Sequence, residues 1–191
     1  MKVVAFNASP RPDGNTAAML KAVLAELAQQ GIETQLIHIG GAPLQGCIGC
    51  RKCYEMQNKR CIINDRLNDY LPALMEADGI LLGSPVYYSD ITTNMKSFID
   101  RAGSVCRANN AALRRKVGAA VCAVRRAGAI HSLDTMHHLF LISEMLVVGS
   151  SYWNMSLSRD KGDFAQDAEG VKTMQVLGQN MAWILQKIHR D

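Results

Sequence analysis

The chain has 191 residues, 48% of them hydrophobic and 20% charged, which suits one ordinary soluble domain with a substantial core. Its net charge of +4 is mild and its basic residues are dispersed in short pairs, so nucleic acid is not an expected partner. No apolar run reaches the length of a membrane span and no signal peptide is visible, so the expected location is cytoplasmic, with the six cysteines reduced or ligating rather than disulfide-bonded.

Val3–Phe6 is an uninterrupted apolar run, as in a central parallel strand buried on both faces. Ser9–Gly14 carries two prolines and an Asp-Gly pair and reads as a turn. Met19, Leu20, Val23, Leu24 and Leu27 then recur at helical spacing, with Gly31 as the stop after Gln30. Strand, polar turn and helix N-terminus in that order make a natural anion site. Ser9, Asn15 and Thr16 add short hydrogen-bonding side chains, and Arg11 adds a full charge. The alternative is an ordinary helix capped by Asn15 or Thr16. Neither G-x-x-x-x-G-K-[ST] nor G-x-G-x-x-G is present, which disfavours a nucleoside triphosphate and a standard dinucleotide fold.

The run S-P-R-x-x-G-N-T resembles the phosphate loop of flavodoxin-like flavoproteins of the NADPH-dependent FMN reductase family. The resemblance implies that Ser9, Arg11, Asn15 and Thr16 hold the 5′-phosphate of FMN.

Ile32–Ile39 alternates and reads as a second, more edge-like strand, with His38 a strand-end residue rather than a ligand. Gly40–Asp65 is long and irregular for a compact domain. It holds Cys47, Cys50, Cys53 and Cys61 in the pattern C-x2-C-x2-C-x7-C, flanked by Arg51, Lys52, Lys59 and Arg60. That spacing suits a cubane iron–sulfur cluster better than zinc; a metal-free thiol loop is the other alternative.

Arg66–Ala77 reads as a helix and Gly79–Ser84 as the third strand. It ends at Pro85-Val86-Tyr87-Tyr88, and ligands of open parallel sheets bind at the carboxyl ends of the strands. Taken alone, the tyrosines also suit a core or a subunit interface. With the following M-K-S-F-I-D-R, however, the segment resembles the same family's flavin loop and the helix after it. Pro85, Val86, Tyr87 and Tyr88 are thereby implied to contact the flavin.

Cys106 and Cys122 read as buried small hydrophobes. Val117–Val124 is the fourth strand and delivers Arg125-Arg126-Ala127-Gly128 to the same edge. The resemblance, resting here on Gly128, implies a loop lining the flavin's pyrimidine side. Arg126 and its neighbour face three alternatives: a reduced anionic flavin, the phosphate of NADPH, or solvent. Ile130–Leu146 reads as a helix, with His137 and His138 facing solvent, the flavin side or a subunit contact. Val147–Gly149 begins a fifth strand, Ser150–Gly170 is irregular and free to cover a neighbouring subunit's site, and Val171–Ile188 is the last helix.

The expectation is a three-layer α/β flavodoxin-like fold, a five-stranded parallel sheet of order 2-1-3-4-5. It forms a single domain over residues 1–191, with a cysteine-rich insertion at about 40–65. The chain most resembles the iron–sulfur flavoprotein branch of the family. That implies FMN, NAD(P)H as electron donor, a [4Fe-4S] cluster on the four cysteines, and a homodimer or homotetramer. The implied acceptor is a quinone, a flavin or another small molecule; the alternative is an electron carrier working with ferredoxin-like partners. The flavin carries the chemistry, so no catalytic acid or base is assigned.

Overall fold

A computed structural model describes residues 1–189. Its centre is β1 (Lys2–Asn7), paired in parallel with β2 (Glu33–His38) on one side and β3 (Gly79–Pro85) on the other. β4 (Val117–Val124) follows β3 and β5 (Leu146–Val147) follows β4, giving the order β2-β1-β3-β4-β5. The apolar runs of β1, β3 and β4 are buried almost throughout, because helices cover both faces of the sheet.

Successive residues of β1 enter opposite layers. Val3 and Ala5 pack with Leu20 and Leu27 of α1 (Asn15–Gln29) and Leu177 and Leu185 of α6 (Ala168–Ile188). Val4 and Phe6 face the other layer, with Leu71 of α3 (Leu67–Glu76), Phe98 of α4 (Thr93–Ala108) and Phe140 of α5 (Ala129–Ile142). Phe6 and Phe98 meet at a ring separation of 4.7 Å. Cys106 and Cys122 are buried as expected, and burial pushes both thiols up to about 12.

Three parts of the chain differ from expectation. A short helix, α2 (Lys52–Met56), sits inside the cysteine loop and carries Cys53. α5 stops at Ile142, not Leu146, because Glu144 adopts a positive φ of 58° and Met145 turns back into the core. The fifth strand position is split: β5 (Leu146–Val147) pairs with the start of β4, and β6 (Met155–Leu157) pairs with its end.

Part of the segment 150–170 packs within its own chain. It contains β6 and a 3-10 turn, Asp163–Gln166, whose Phe164 joins the α1–α6 layer. The last helix accordingly begins at Ala168 rather than Val171, with the Asp167 side chain accepting from the Gly170 N–H.

Candidate functional site

The carboxyl edge of the sheet gathers four loops around a cleft of about 200 Å³. Ser9, Arg11, Gly14, Asn15 and Thr16 line it from the β1 loop, and Pro85, Val86 and Tyr87 line it from the β3 loop. The first loop is fixed from within: Asn7 Oδ1 accepts from Ser9 N–H at 3.0 Å, and Ser9 Oγ accepts from Arg11 N–H at 3.2 Å. It is also fixed from β2, where His38 Nε2 lies 2.8 Å from the Ser9 carbonyl oxygen, a strand-end role as expected. Gly40 passes so close that a Cβ there would stand 2.1 Å from that same oxygen.

α1 starts at this cleft without a side-chain cap, so neither Asn15 nor Thr16 plays that part. Among the described residues, the N–H groups of Asn15, Thr16 and Ala17 have no acceptor within the protein, as the first turn of a helix leaves them. Thr16 is buried beneath them and Arg11 is exposed at the rim. Donors of this kind, at the positive end of a helix, fit a phosphate group.

The Asn15 side chain is used differently from expectation. Its Nδ2 donates to the Asp160 carbonyl at 2.7 Å, and its Oδ1 accepts from Gly162 and Phe164 N–H at 3.1 and 3.4 Å. It clamps the segment after β6 against the β1 loop, assisted by an ion pair between Lys161 and Asp13. That clamp brings Ser158 and Arg159 into the cleft wall. Sequence reasoning missed both, since β6 is only three residues long and left no periodic signal.

A second discrepancy concerns the paired arginines: Arg125 lines the cleft and Arg126 does not. Gly128 also acts at one remove. Its φ is +92°, and a Cβ would stand 2.7 Å from the Ser89 Cα, so its bare backbone lets the β3 loop pack against the start of α5.

That β3 loop is a tight two-residue turn. Tyr87 and Asp90 exchange backbone hydrogen bonds of 2.7 and 2.9 Å, while Tyr88 and Ser89 both take positive φ. Neither residue favours that conformation, and strain of this sort gathers at functional loops. Asp90 anchors the turn by accepting from Thr135 Oγ1 at 2.8 Å. Tyr87 stays half exposed against the cleft, and Tyr88 stands fully in solvent. At the base of the turn, Thr92 caps α4 and donates from its hydroxyl to the Ala8 carbonyl, tying the β1 and β3 loops together.

The cysteine loop lies against α3 and α4. Cys47, Cys50, Cys53 and Cys61 all line one small cavity of about 80 Å³, with Arg101 and Val105 of α4 as its floor. Cys47 and Cys50 are exposed; Cys53 and Cys61 are half-buried, and burial pushes the Cys53 thiol up. Among the described residues no group of three or more Cys, His, Asp or Glu side chains is close enough to hold a single metal ion. The four thiols share that cavity without converging on one point.

Among the described residues Arg101 is the largest fully buried side chain, with its Nη1 2.6 Å from Asp65. Burial alone would raise the Asp65 carboxyl; the guanidinium and the N–H groups of Leu67 and Gln45 outweigh it and hold the carboxyl below its ordinary value.

Residues 1–160 match the NADPH-dependent FMN reductase family. An iron–sulfur flavoprotein of Methanocaldococcus jannaschii is 36% identical over the whole of both chains. One of Methanosarcina thermophila is 26% identical, covering all of this chain and 98% of its own. Among solved structures, a flavone reductase superposes with a TM-score of 0.77 at 16% identity, covering all of this chain and 65% of its own. A WrbA-like flavodoxin of Agrobacterium tumefaciens reaches 0.67 at 21% identity over 97% of each chain. The strand order, the uncapped helix facing the cleft and these matches agree: the chain belongs to the NADPH-dependent FMN reductase family, in its iron–sulfur flavoprotein branch.

Proposed function

We propose that the protein is an FMN-dependent oxidoreductase that takes electrons from NAD(P)H and delivers them to a quinone, a flavin or another small acceptor. The observation that carries this reading is the uncapped N-terminus of α1, opening onto a cleft that Arg11, Arg125 and Arg159 share with Tyr87. The N–H groups of Asn15, Thr16 and Ala17, with the Ser9 hydroxyl, hold the FMN phosphate, and Arg11 closes over it. Pro85, Val86 and Tyr87 form an apolar wall for the ring, and the Gly128 backbone keeps that wall in place. Bound FMN supplies the two-electron chemistry; the residues position it and exclude water. Arg125 and Arg159 exceed what one phosphate needs, which favours an anionic co-substrate at the same cleft. Anaerobic stopped-flow mixing with NADPH tests the reading: bleaching of the flavin absorbance within a turnover supports it, and no reduction by NADPH or NADH overturns it.

The second part of the proposal is a [4Fe-4S] cluster on Cys47, Cys50, Cys53 and Cys61, supported by their shared cavity and by the names of the relatives. Cys47 and Cys50 lie at the surface, so such a centre is within reach of a protein partner. That exposure favours, as the alternative function, an electron carrier serving ferredoxin-like proteins; reduction by a ferredoxin but not by NADPH distinguishes it.

A homodimer or homotetramer belongs to the same proposal. Tyr152 and Trp153, between β5 and β6, are exposed at an apolar cleft of about 420 Å³, and Ile130 and Leu141 are exposed on α5, whose Leu133 and His137 line it. Its wall includes His137 and Asn154, whose Nε2 and Oδ1 are buried without partners. A second copy on this face would cover the apolar side chains, and light scattering at micromolar concentration decides it.

A further inference from the structure

Cys61 is the cysteine of the quartet that lies furthest along the chain from the other three, yet its placement is the most constrained. Asn68 of α3 is buried and clamps its backbone: Oδ1 accepts from the Cys61 N–H at 2.8 Å, while Nδ2 donates to the carbonyls of Cys61 and Ile63 at 3.1 and 3.0 Å. Arg101 of α4, 1% exposed, approaches the sulfur itself, its Nε donating to Cys61 Sγ at 3.4 Å. The other guanidinium donors go to Gln45 O, Ile63 O and both Asp65 oxygens, at 2.6 to 3.2 Å. All five N–H groups of the side chain are thereby used, and one of them is aimed at the Cys61 sulfur.

A loop held only for shape would not need this. Burying an arginine is costly unless every donor is paired, and a thiol sulfur is a poor acceptor for one of them. A thiolate is a good one, because the hydrogen bond is then charge-assisted. A sulfur that ligates a metal centre is such an acceptor, and the geometry suits Cys61 for that part.

We propose that Arg101 tunes the metal centre, through its Nε–H···Sγ hydrogen bond to Cys61, so that the centre accepts an electron more readily. The inference rests on the cluster reading above. Adding one electron to a thiolate-bound cluster raises its negative charge by one, and the electron density spreads onto the ligand sulfurs. A fixed N–H donor at one sulfur stabilises the more negative form, and hydrogen bonds to the sulfurs are among the factors that set such potentials. Asp65 neutralises the guanidinium at its far side, so the directed N–H, not bare charge, carries the effect. The position also matters. Arg101 stands nine residues beyond the Thr92 cap that ties the cleft loops together, about 14 Å along the helix.

The test uses the full chain, reconstituted anaerobically with iron, sulfide and FMN, and a redox titration followed by electron paramagnetic resonance. The variants are Arg101→Lys and the double variant Arg101→Gln with Asp65→Asn, which removes both charges of the pair together. With iron and FMN at wild-type content, the double variant is expected to hold the added electron at least tenfold more weakly, a fall of about 59 mV for a one-electron couple. Arg101→Lys is expected to fall between it and the wild type. An iron-replete double variant with an unchanged potential overturns the inference. So does loss of iron from both variants with FMN retained, which would make Arg101 purely architectural. Wild-type protein that takes up FMN but no iron overturns the cluster reading itself, and this inference with it.

Discussion

The loops after β1 and β2 are neighbours in the fold but present opposite chemistry, backbone N–H donors in one and side-chain thiols in the other. The β1 loop offers backbone N–H groups and a helix end to an anion, and its side chains mostly hold the backbone in place. The cysteine loop gathers four thiols at one cavity, and it is held by polar side chains reaching in from α3 and α4. The first is a property of strand, turn and helix, and persists as long as the sheet does. The second rests on a few side chains of α3 and α4, and a few substitutions should remove it without disturbing the first. The comparison therefore predicts that FMN and the proposed cluster can be lost independently.

The largest effect should come from Cys53→Ala. Anaerobically reconstituted wild-type protein is expected to hold about four iron and four sulfide per chain, and this variant to lose both while keeping FMN. Iron at wild-type content in the variant, or FMN lost along with it, would break the separation of the two regions.

Gly40→Ala is next, and acts on the other region. A Cβ placed 2.1 Å from the Ser9 carbonyl must displace the β1 loop or the end of β2. The expected cost is at or above the upper end of the ~1–3 kcal/mol typical of overpacking, read as a fall in the urea midpoint, with weakened FMN binding. A variant of wild-type stability and FMN affinity would show that the close approach does not hold the phosphate loop.

How much of each region can be read from sequence follows from the same contrast. Buried strands and amphipathic helices are local patterns, so the sheet and most helix positions follow from Val3–Phe6, Gly79–Ser84 and Val117–Val124 and the apolar stripes between them. The turn before α1 is local too, although its lack of a side-chain cap is not. What escapes is whatever depends on distant chain. Nothing in Arg125-Arg126 says which of the two turns toward the cleft, and nothing near Asn15 signals that its amide will hold a segment 145 residues away. Arg101 sits among the residues that carry the family resemblance, yet its role at Cys61 appears only once α4 is packed against the cysteine loop. β6 is too short to show an alternation of its own.

Within the β1 loop, Arg11→Ala should weaken FMN by about 1.5–3 kcal/mol, the range for a hydrogen bond to a charged group. Fluorescence titration of the apoprotein reads it directly. An unchanged dissociation constant would move the phosphate away from Arg11 and toward Arg125 or Arg159, and so sharpen the assignment of the cleft.

The smallest effect is a pH dependence confined to the cysteine loop. Asp65 has a carboxyl pKa below its ordinary 3.8, because hydrogen bonds from Arg101, Leu67 and Gln45 outweigh the opposing effect of burial. A carboxylate whose pKa is lowered by folding contributes stability that is fully present above the unfolded pKa and is lost as pH falls through the folded one. The wild type should therefore be more stable than Asp65→Asn at pH 6, and the gap should narrow steadily below about pH 4. His137 works in a different window: burial lowers its pKa from 6.5, so it opposes folding as pH falls through that value. That loss is common to wild type and variant and cancels in their difference. Urea unfolding of both proteins from pH 7 to pH 3 isolates the Asp65 contribution, and FMN affinity measured alongside should not follow it. A gap that is constant across the range would mean that Asp65 holds the loop as a neutral hydrogen-bonding group, and that Arg101 is not compensated by a carboxylate.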